Sequence, residues 1–229
     1  MRGAIIAALL LAVAVLYLTP STTPYSPYNP GPNGLSELAQ ICRTSANADV
    51  VILAPGASLP NLNVSASTAE IVDPLANFGS PYIPAAADVN GTALAAPNAT
   101  PLVGNGEVLI ATSPTSFAGT ARGPYPLALA VREGNRTVYI YHASLFTNLA
   151  MRWNSAYAER ICARPVEIVV AGGDPSHWVH EYLYAARPWI APAALTAMFL
   201  YLALKARSGR VWRRGRRGDP AGGRSGRRG

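Results

Sequence analysis

One cluster of side chains in the sequence has the spacing of a metal site. The segment "HWVHE" places His177, His180 and Glu181 within one turn of a helix, as ligands of a single ion would be. The spacing is not that of the H-E-x-x-H zinc enzymes, and Trp178 lies where aromatic residues border a membrane span. These three residues are the candidates for a metal site, but we expect no bound metal and no cofactor.

A second possible chemistry is nucleophilic catalysis by serine or cysteine. Ser144 follows a strand-like segment and stands two residues after His142, but "YHASLF" lacks the glycines of a G-x-S-x-G turn. Cys42 and Cys162 lie in helix-like segments and not at a sharp strand-to-helix turn. We interpret Ser144 as a helix cap and expect no enzymatic activity. The alternative is an extracytoplasmic hydrolase or metal-dependent enzyme built around Ser144, the three histidines and nearby acids.

The glycines and prolines of "SPYNPGPNG", residues 26–34, precede a helix-like run without forming a nucleotide loop. A phosphate-binding loop follows a strand and offers backbone N–H groups at the start of a helix. This segment has no strand before it, no G-x-G-x-x-G or G-K-[ST] pattern, and prolines that remove N–H donors. It is interpreted as a rigid turn that sets the first helix at a fixed angle.

Two apolar stretches near the ends of the chain predict a membrane protein. Residues 4–18 carry no charge and suit an uncleaved anchor within residues 1–19 or, as the alternative, a cleaved signal peptide. Residues 188–204 form a second uncharged stretch, inside a predicted juxtamembrane and transmembrane helix at 175–204. The prediction is therefore a cell-membrane protein with two spans.

The net charge of +7 comes from the C-terminal tail, residues 205–229. The tail has ten basic residues and one acidic residue, whereas the rest of the chain has nine basic and eleven acidic residues. A basic flank beside an apolar span predicts a cytoplasmic tail and an extracytoplasmic central domain. Because the tail is rich in glycine and adjoins a span, we expect contact with lipid and no nucleic acid partner; docking onto an acidic cytosolic protein is the alternative. The residues expected to contact lipid head groups are Arg187, Lys205, Arg207, Arg210, Arg213 and Arg214.

Four Asn-x-Ser/Thr sequons lie between the two predicted spans, which agrees with an extracytoplasmic domain. They predict glycosylation at Asn63, Asn90, Asn98 and Asn135. The last of these stands in the turn of a predicted hairpin, where it would be exposed.

The segments between the spans alternate between strand and helix patterns. Residues 20–33, rich in proline, serine and threonine, are interpreted as an extended stalk. In the domain, residues 34–174, helices are predicted in "NGLSELAQICRTSA" and "SLFTNLAMRWNSAYAERICA". Strands are predicted in "ADVVILAPG", "GEVLIATSP" and "RPVEIVV", with a hairpin of "PLALAV" and "TVYIYHA" about "REGNR".

Residues 56–105 show no clear period and are interpreted as irregular surface with short strands and a possible short helix in "STAEIVDPLANFG". The alternation elsewhere predicts the α/β class. We expect a small, mostly parallel sheet with a β-hairpin and flanking helices, of the amidotransferase-like or flavodoxin-like kind.

The order of "SPYNPGPNG", "GPYPLALAV" and "HASLFTNLAMRWN" between two spans resembles the membrane-anchored domain-of-unknown-function family 4350. The resemblance covers residues 25–205 and implies a fold similar to class I glutamine amidotransferases without their catalytic residues. The chain departs from the family in a shorter segment after the first strand. It also has "YHA" where the family has an acidic residue before "SLF".

Cys42 and Cys162 are predicted to form a disulfide. In doubly wound sheets the first and last helices commonly pack on the same face, which would bring the two cysteines together. Both lie in the predicted extracytoplasmic part, where a disulfide persists. Two separate buried thiols are the alternative.

The function predicted from these features is non-enzymatic: an extracytoplasmic binding or assembly domain on a membrane anchor. Its partners would be membrane lipids and a membrane or cell-surface protein. The alternatives are the hydrolase or metal-dependent enzyme described above and an accessory subunit of a membrane complex. In the last case small residues would allow close packing of spans: Ala191, Ala193, Ala194 and Ala197.

Overall fold

Four consecutive aliphatic residues, Val50–Leu53, form strand β1, which is buried along its whole length. The computed structural model of the protein describes residues 21–172 and Thr196. In it, β1 pairs in parallel with β12 (Arg136–His142) on one side and with β13 (Val166–Val169) on the other. A continuous aliphatic run is typical of a parallel strand covered on both faces, so this prediction from the sequence is confirmed.

The predicted hairpin is also confirmed. Strand β11 (Pro126–Glu133) pairs antiparallel with β12, and Glu133 lies opposite Arg136 across the turn. Gly134 adopts a φ of +61° in that turn, a conformation that glycine reaches without strain.

Three further antiparallel strands extend the sheet beyond the hairpin. They are β8 (Glu107–Thr112), β5 (Ala85–Asp88) and β6 (Ala93–Ala95), and they complete the order β13-β1-β12-β11-β8-β5-β6. The edge strand β6 is closed by a side chain, because the amide of Asn154 accepts the N–H of Ala95 at 3.0 Å and donates to its carbonyl at 2.7 Å. This amide occupies the place of a further strand residue at an otherwise unpaired edge.

Two three-stranded sheets accompany the main sheet. One consists of β2 (Ser58–Leu59), β3 (Val64–Ala66) and β7 (Leu102–Val103), with a 3₁₀ turn at Pro60–Leu62. The other consists of β4 (Ile71–Val72), β9 (Phe117–Ala118) and β10 (Ala121–Arg122). The first covers one face of the main sheet. The apolar cluster at this contact includes Val51, Leu53, Val64, Ala66, Leu102 and Ile140.

Two α-helices in the described part of the chain cover the other face. They are α1 (Ser36–Ile41) and α2 (Met151–Ile161), and a 3₁₀ turn at Ala143–Phe146 connects β12 to α2. The apolar cluster beneath them includes Leu38, Val50, Ile52, Tyr141, Phe146 and Ala158. The ring of Phe146 meets that of Tyr141 edge-on, with centroids 5.9 Å apart.

The predicted α/β class with a mostly parallel sheet is wrong. Four of the six strand pairings in the main sheet are antiparallel, and the described residues are mostly β, with two short helices. A parallel connection needs a crossover of a dozen residues or more, usually through a helix, and residues 56–105 form short strands and turns instead. The possible helix in "STAEIVDPLANFG" is absent from this described segment. The carboxylate of Asp73 accepts the N–H groups of Leu75 and Ala76 and so forms a turn there.

Residues 21–33 differ from the predicted stalk. They form consecutive turns in which Tyr25 N–H donates to Asn33 O and Asn29 N–H donates to Ser26 O. Ser26 and Asn29 are buried. This segment therefore belongs to the folded domain, and the predicted start of the domain at residue 34 is too late.

The strand directions define two ends of the main sheet. The parallel strands finish together at Leu53, His142 and Val169. The N-terminal loop, residues 21–35, joins this end, since Asn148 and Leu149 donate backbone N–H groups to the carbonyls of Gly34 and Pro32. We call this end of the sheet the entry end, because the chain enters the domain there and leaves it after β13. The opposite far end holds the hairpin turn at 134–135 and the C-terminal ends of both helices.

Neither helix of the described residues is long and apolar enough to cross a membrane. Both predicted spans, residues 4–18 and 188–204, lie outside the described residues except for Thr196, which is helical.

Candidate functional site

His142, at the end of β12, lies in a buried polar cluster with Ser144 and Thr100. Its Nδ1 is 2.7 Å from Ser144 Oγ and accepts the backbone N–H of Ser144, while its Nε2 is 2.9 Å from Thr100 Oγ1. Because Nδ1 accepts an N–H, the neutral ring carries its proton on Nε2 and donates to Thr100. All three side chains are buried, and burial lowers the pKa of His142 to about 3.

This cluster holds the serine and histidine nearest to a catalytic arrangement in the described residues. A nucleophile and its base need access to substrate, whereas Ser144 and His142 have no exposed surface. The third member is a threonine, which carries no charge to stabilise an imidazolium. The cluster instead ties the turn after β12 to the segment before β7. The predicted helix cap at Ser144 is wrong, since Ser144 lies within the 3₁₀ turn and the His142 side chain caps that turn.

Asn148 joins two of the segments that carry the family resemblance, "SPYNPGPNG" and "HASLFTNLAMRWN". Its Nδ2 donates to the carbonyls of Asn29 at 3.1 Å and Gly31 at 2.7 Å. Its Oδ1 accepts the backbone N–H of Glu37 at 3.0 Å and so caps helix α1, which has no cap of its own. One side chain therefore fixes the loop and the helix that follows it.

The loop itself leaves no room at Gly34. A Cβ built there would lie 1.8 Å from the carbonyl oxygen of Asn29. The Asn29 amide also donates to Thr23 O and Asn33 Oδ1, at 3.0 and 3.2 Å. Burial, with a smaller contribution from the charge of Glu70, raises the pKa of Tyr25 in this loop to about 12. These contacts agree with the predicted rigid turn.

The predicted disulfide between Cys42 and Cys162 is confirmed. Cys42 follows the last residue of α1 and Cys162 follows the last residue of α2, so the bond joins the two helices at the far end. The helices do pack on one face of the sheet, although the sheet is not the doubly wound one from which the pairing was predicted.

Asp73 is the centre of a second buried polar cluster, at the entry end. Besides two backbone N–H groups, its carboxylate accepts the hydroxyls of Thr115 at 3.0 Å and Ser116 at 2.8 Å. Burial raises the pKa of Asp73, but the hydrogen bonds outweigh it, so that the pKa lies below its usual value. The loop at 73–84 is thereby held in one conformation.

Apolar side chains are exposed on and beside this loop. Leu75 is 77% exposed and Tyr82 is 54% exposed. Phe78 contacts Trp153 of α2 with ring centroids 5.6 Å apart, and Trp153 is itself 44% exposed. Exposed apolar groups on a rigid loop indicate a contact surface.

Charged residues are concentrated at the opposite end. Eleven of the sixteen charged residues in 21–172 lie at the far end: Arg43, Asp49, Asp88, Glu107, Arg132, Glu133, Arg136, Glu159, Arg160, Arg164 and Glu167. Two of them are oriented by aromatic rings, Arg160 over Tyr157 at 4.9 Å and Arg164 over Tyr139 at 5.7 Å. The far end is thus a charged surface with arginines held in place.

The structure places the four sequon asparagines at exposed positions, and each remains a predicted glycosylation site. Asn90 and Asn135 stand in turns at the far end, and Asn98 lies at the entry end. Asn63 borders a cavity of about 390 Å³ beside the β2-β3-β7 sheet, together with Ser58, Ser65 and Asn105.

The remaining predicted sites lie outside the described residues. They are the metal candidates His177, His180 and Glu181, and the lipid contacts Arg187, Lys205, Arg207, Arg210, Arg213 and Arg214. Within the described residues, no three histidine, cysteine, aspartate or glutamate side chains come together as metal ligands could.

Sequence reasoning missed the two residues that organise the entry end, Asn148 and Asp73. Asn148 interrupts the apolar run "SLFTNLAM", and Asp73 precedes a proline, a common start of a turn. These signals indicate buried or turn-forming polar groups without naming their partners.

No protein-family model, curated protein or solved structure matches the chain. The resemblance to family 4350 stays a prediction, and the mostly parallel sheet that it implied is absent from the described residues.

Proposed function

We propose that residues 21–172 form a non-enzymatic binding or assembly domain, held outside the cell by two membrane spans. The observation that carries this proposal is the separation of the two ends of the domain. The chain enters and leaves at one end, while most charged residues lie at the other. Charged residues concentrated at one end of a domain, some of them oriented by aromatic rings, support a role in binding a partner.

The far end supplies the means of recognising a partner. Arginines stacked on tyrosine rings lose less conformational entropy on binding than freely moving ones. The presence of both acidic and basic groups at this end also gives an interface specificity through charge complementarity. The proposed partner is therefore a membrane or cell-surface protein that presents a charged surface of complementary pattern. An accessory subunit of a membrane complex is one form of this function.

The predicted orientation is tested with single added cysteines, because both native cysteines are paired. Val89→Cys, at the far end, is expected to react with a membrane-impermeant maleimide on intact cells. Ser225→Cys, in the basic tail, is expected to react only after the membrane is permeabilised. Labelling of Ser225→Cys on intact cells would overturn the orientation.

The hydrolase alternative has one favourable observation, the 2.7 Å contact between Ser144 Oγ and His142 Nδ1. Treatment of the purified protein with a fluorophosphonate probe separates the two functions. We expect no adduct on native protein, since Ser144 is buried. An adduct that Ser144→Ala abolishes, at unchanged melting temperature, would establish a nucleophilic serine.

A further inference from the structure

We propose that the cavity beside the β2-β3-β7 sheet holds the first sugar of a glycan attached to Asn63. The cavity measures about 390 Å³, and Asn63, the predicted acceptor, is one of the residues that line it. The ligand is thus a neutral pyranose that is linked covalently to the chain. The inference rests on the proposed function, because a glycan of this kind requires the domain to be extracytoplasmic.

The cavity lies on the outer face of the small sheet. Ser65 of β3 stands opposite Ser58 of β2 and opposite Val103 of β7, and cross-strand partners share one face of a sheet. The alternate residues Val64 and Leu102 are buried in the apolar cluster against the main sheet. The face that carries Ser58, Ser65 and Val103 is therefore the one that a ligand can reach.

The groups that line the cavity suit a sugar. The described residues around it include no charged side chain. The side chains of Ser58, Ser65 and Asn105 have no hydrogen-bond partner within the described part of the chain, so they are available to sugar hydroxyls. Val103 is 57% exposed and offers an apolar contact for the C–H face of a ring. An uncharged cavity with both kinds of group fits a neutral sugar better than an ion.

The volume agrees with a single sugar ring. Sites for small molecules measure roughly 300–1,000 Å³. The cavity, at about 390 Å³, lies near the lower end of that range. The first sugar would therefore fill it, and the rest of the glycan would extend into solvent.

Asn63 is held at a fixed position beside the cavity. It follows the 3₁₀ turn at Pro60–Leu62 with a φ of +51°, and its backbone N–H donates to the carbonyl of Pro60 at 3.2 Å. Asparagine reaches this left-handed conformation more readily than most residues. A Cβ built on Gly104 would lie 3.0 Å from the carbonyl oxygen of Asn63, so the end of β7 packs directly against the acceptor residue. Little conformational entropy of the chain is then lost when the sugar enters the cavity.

The covalent link compensates for the small number of polar contacts. A tethered group meets its site at an effective concentration on the order of millimolar. A cavity lined by two serines and an asparagine can therefore hold an attached sugar even where it binds a free one weakly. A free saccharide is the other source of the same chemistry, and the test separates the two.

The test follows the exposure of residue 103, which the sugar would cover. Val103→Cys supplies a single free thiol, because both native cysteines are paired. Val89→Cys, at a position that is 68% exposed at the far end, is the control. Each is produced as the full chain in the native host, with Asn63 intact and with Asn63→Asp. Aspartate removes the acceptor and tolerates the left-handed backbone.

The purified proteins are treated with methyl methanethiosulfonate, a neutral reagent small enough that only direct contact blocks it. Peptide mass spectrometry then measures the rate of thiol modification and the glycan occupancy of every sequon. Ser65→Ala removes the same sequon by a different change, and it takes the place of Asn63→Asp if that variant lacks a cooperative melt.

We expect Asn63 to carry a glycan and the thiol at residue 103 to react several-fold more slowly than in the Asn63→Asp protein. The thiol at residue 89 should react at the same rate in both. Equal rates at residue 103 with Asn63 occupied would overturn the inference and leave the proposed function standing. Protection of residue 103 in the Asn63→Asp protein by added N-acetylglucosamine, without protection by the attached glycan, would assign the cavity to a free saccharide instead.

The occupancy of the other sequons separates this inference from the proposed function. An unmodified Asn63 in protein that carries glycans at Asn90 or Asn135 would overturn the inference alone. Unmodified asparagine at all four sequons would overturn both the inference and the extracytoplasmic placement on which it rests.

Discussion

Asn148 and Glu37 are 111 residues apart in the sequence, yet Asn148 Oδ1 accepts the backbone N–H of Glu37 at 3.0 Å. The same amide binds two carbonyls of the N-terminal loop. The first turn of helix α1 is therefore capped by a residue that follows the last strand of the hairpin. The entry end depends on this contact for its shape.

Replacement of Asn148 by alanine is expected to destabilise the domain by about 3 kcal/mol, because several buried backbone groups lose their partner at once. Urea unfolding followed by circular dichroism measures the change. Asn61→Ala, at an exposed position, serves as the control and is expected to change stability by less than about 0.5 kcal/mol. Equal midpoints for the two variants would show that Asn148 does not organise the loop.

Gly34→Ala is expected to cost more than about 4 kcal/mol or to prevent folding, since the added methyl group would overlap the carbonyl oxygen of Asn29. Gly91→Ala is the comparison. Gly91 has a φ of +79° and nothing within 4 Å of a built Cβ, so its replacement adds backbone strain alone, about 1 kcal/mol. Thermal melts of the two variants that coincide would contradict the steric argument.

The neutral, buried His142 predicts acid sensitivity. Its pKa is about 3 in the folded protein, against an ordinary value near 6.5. Between these pH values the His142 side chain is protonated in the unfolded chain and neutral in the folded chain. The contribution of His142 to the free energy of unfolding is therefore complete above pH 6.5 and is lost as the pH falls. The free energy of unfolding then changes by up to about 1.4 kcal/mol per pH unit for one proton.

His142→Gln is the variant that isolates this effect. The free energy of unfolding is measured from pH 6.5 to about 5. The pKa values of Asp73 and Asp88 lie below their usual value in the folded protein, so these carboxyls reduce stability only at lower pH, where they take up protons in the unfolded chain. The slope of the native protein is expected to exceed that of the variant by about one proton. Parallel slopes would show that His142 does not titrate on unfolding.

Reduction of the disulfide is expected to lower the free energy of unfolding by about 4 kcal/mol, because the bond closes a loop of 120 residues in the unfolded chain. The measurement is a urea titration with and without dithiothreitol. The double variant Cys42→Ala with Cys162→Ala is expected to unfold at the same urea concentration as the reduced native protein. Its midpoint should be the same with and without dithiothreitol. A native protein whose midpoint is unmoved by full reduction would refute this expectation.

All four sequon asparagines are expected to carry glycans, since each of them is exposed. Peptide mass spectrometry after enzymatic deglycosylation in heavy-oxygen water reads each site. Unmodified asparagine at all four sites in protein from native membranes would contradict the extracytoplasmic placement of the domain.

Much of the central sheet could be predicted from the sequence. The aliphatic run at β1 and the alternating strands around Gly134 and Asn135 specify a buried strand and a hairpin through local patterns. The remaining strands could not be placed in this way. Strands β5 and β6 are three or four residues long and rich in alanine, too short and too uniform to show a period.

The polar residues that organise the entry end were even harder to predict from the sequence. The sequence shows that Asn148 and Asp73 are polar groups in unusual settings. However, the Glu37 N–H that Asn148 accepts and the hydroxyls that Asp73 accepts lie more than 40 residues away in the chain. Only the folded backbone determines which carbonyls and hydroxyls reach them. The disulfide was predicted correctly because the two helix ends that carry it lie on one face in both the expected and the observed sheet.

The proposed function requires the far end of the domain to bind a protein partner. Arg160 and Arg152 allow a matched comparison, since both are exposed arginines on helix α2, one near each end. Each is changed to glutamate, and the protein is cross-linked in native membranes, purified in mild detergent and analysed by mass spectrometry. We expect a stoichiometric partner with native protein and Arg152→Glu, and its loss with Arg160→Glu. A partner retained by Arg160→Glu and lost with Arg152→Glu would contradict it.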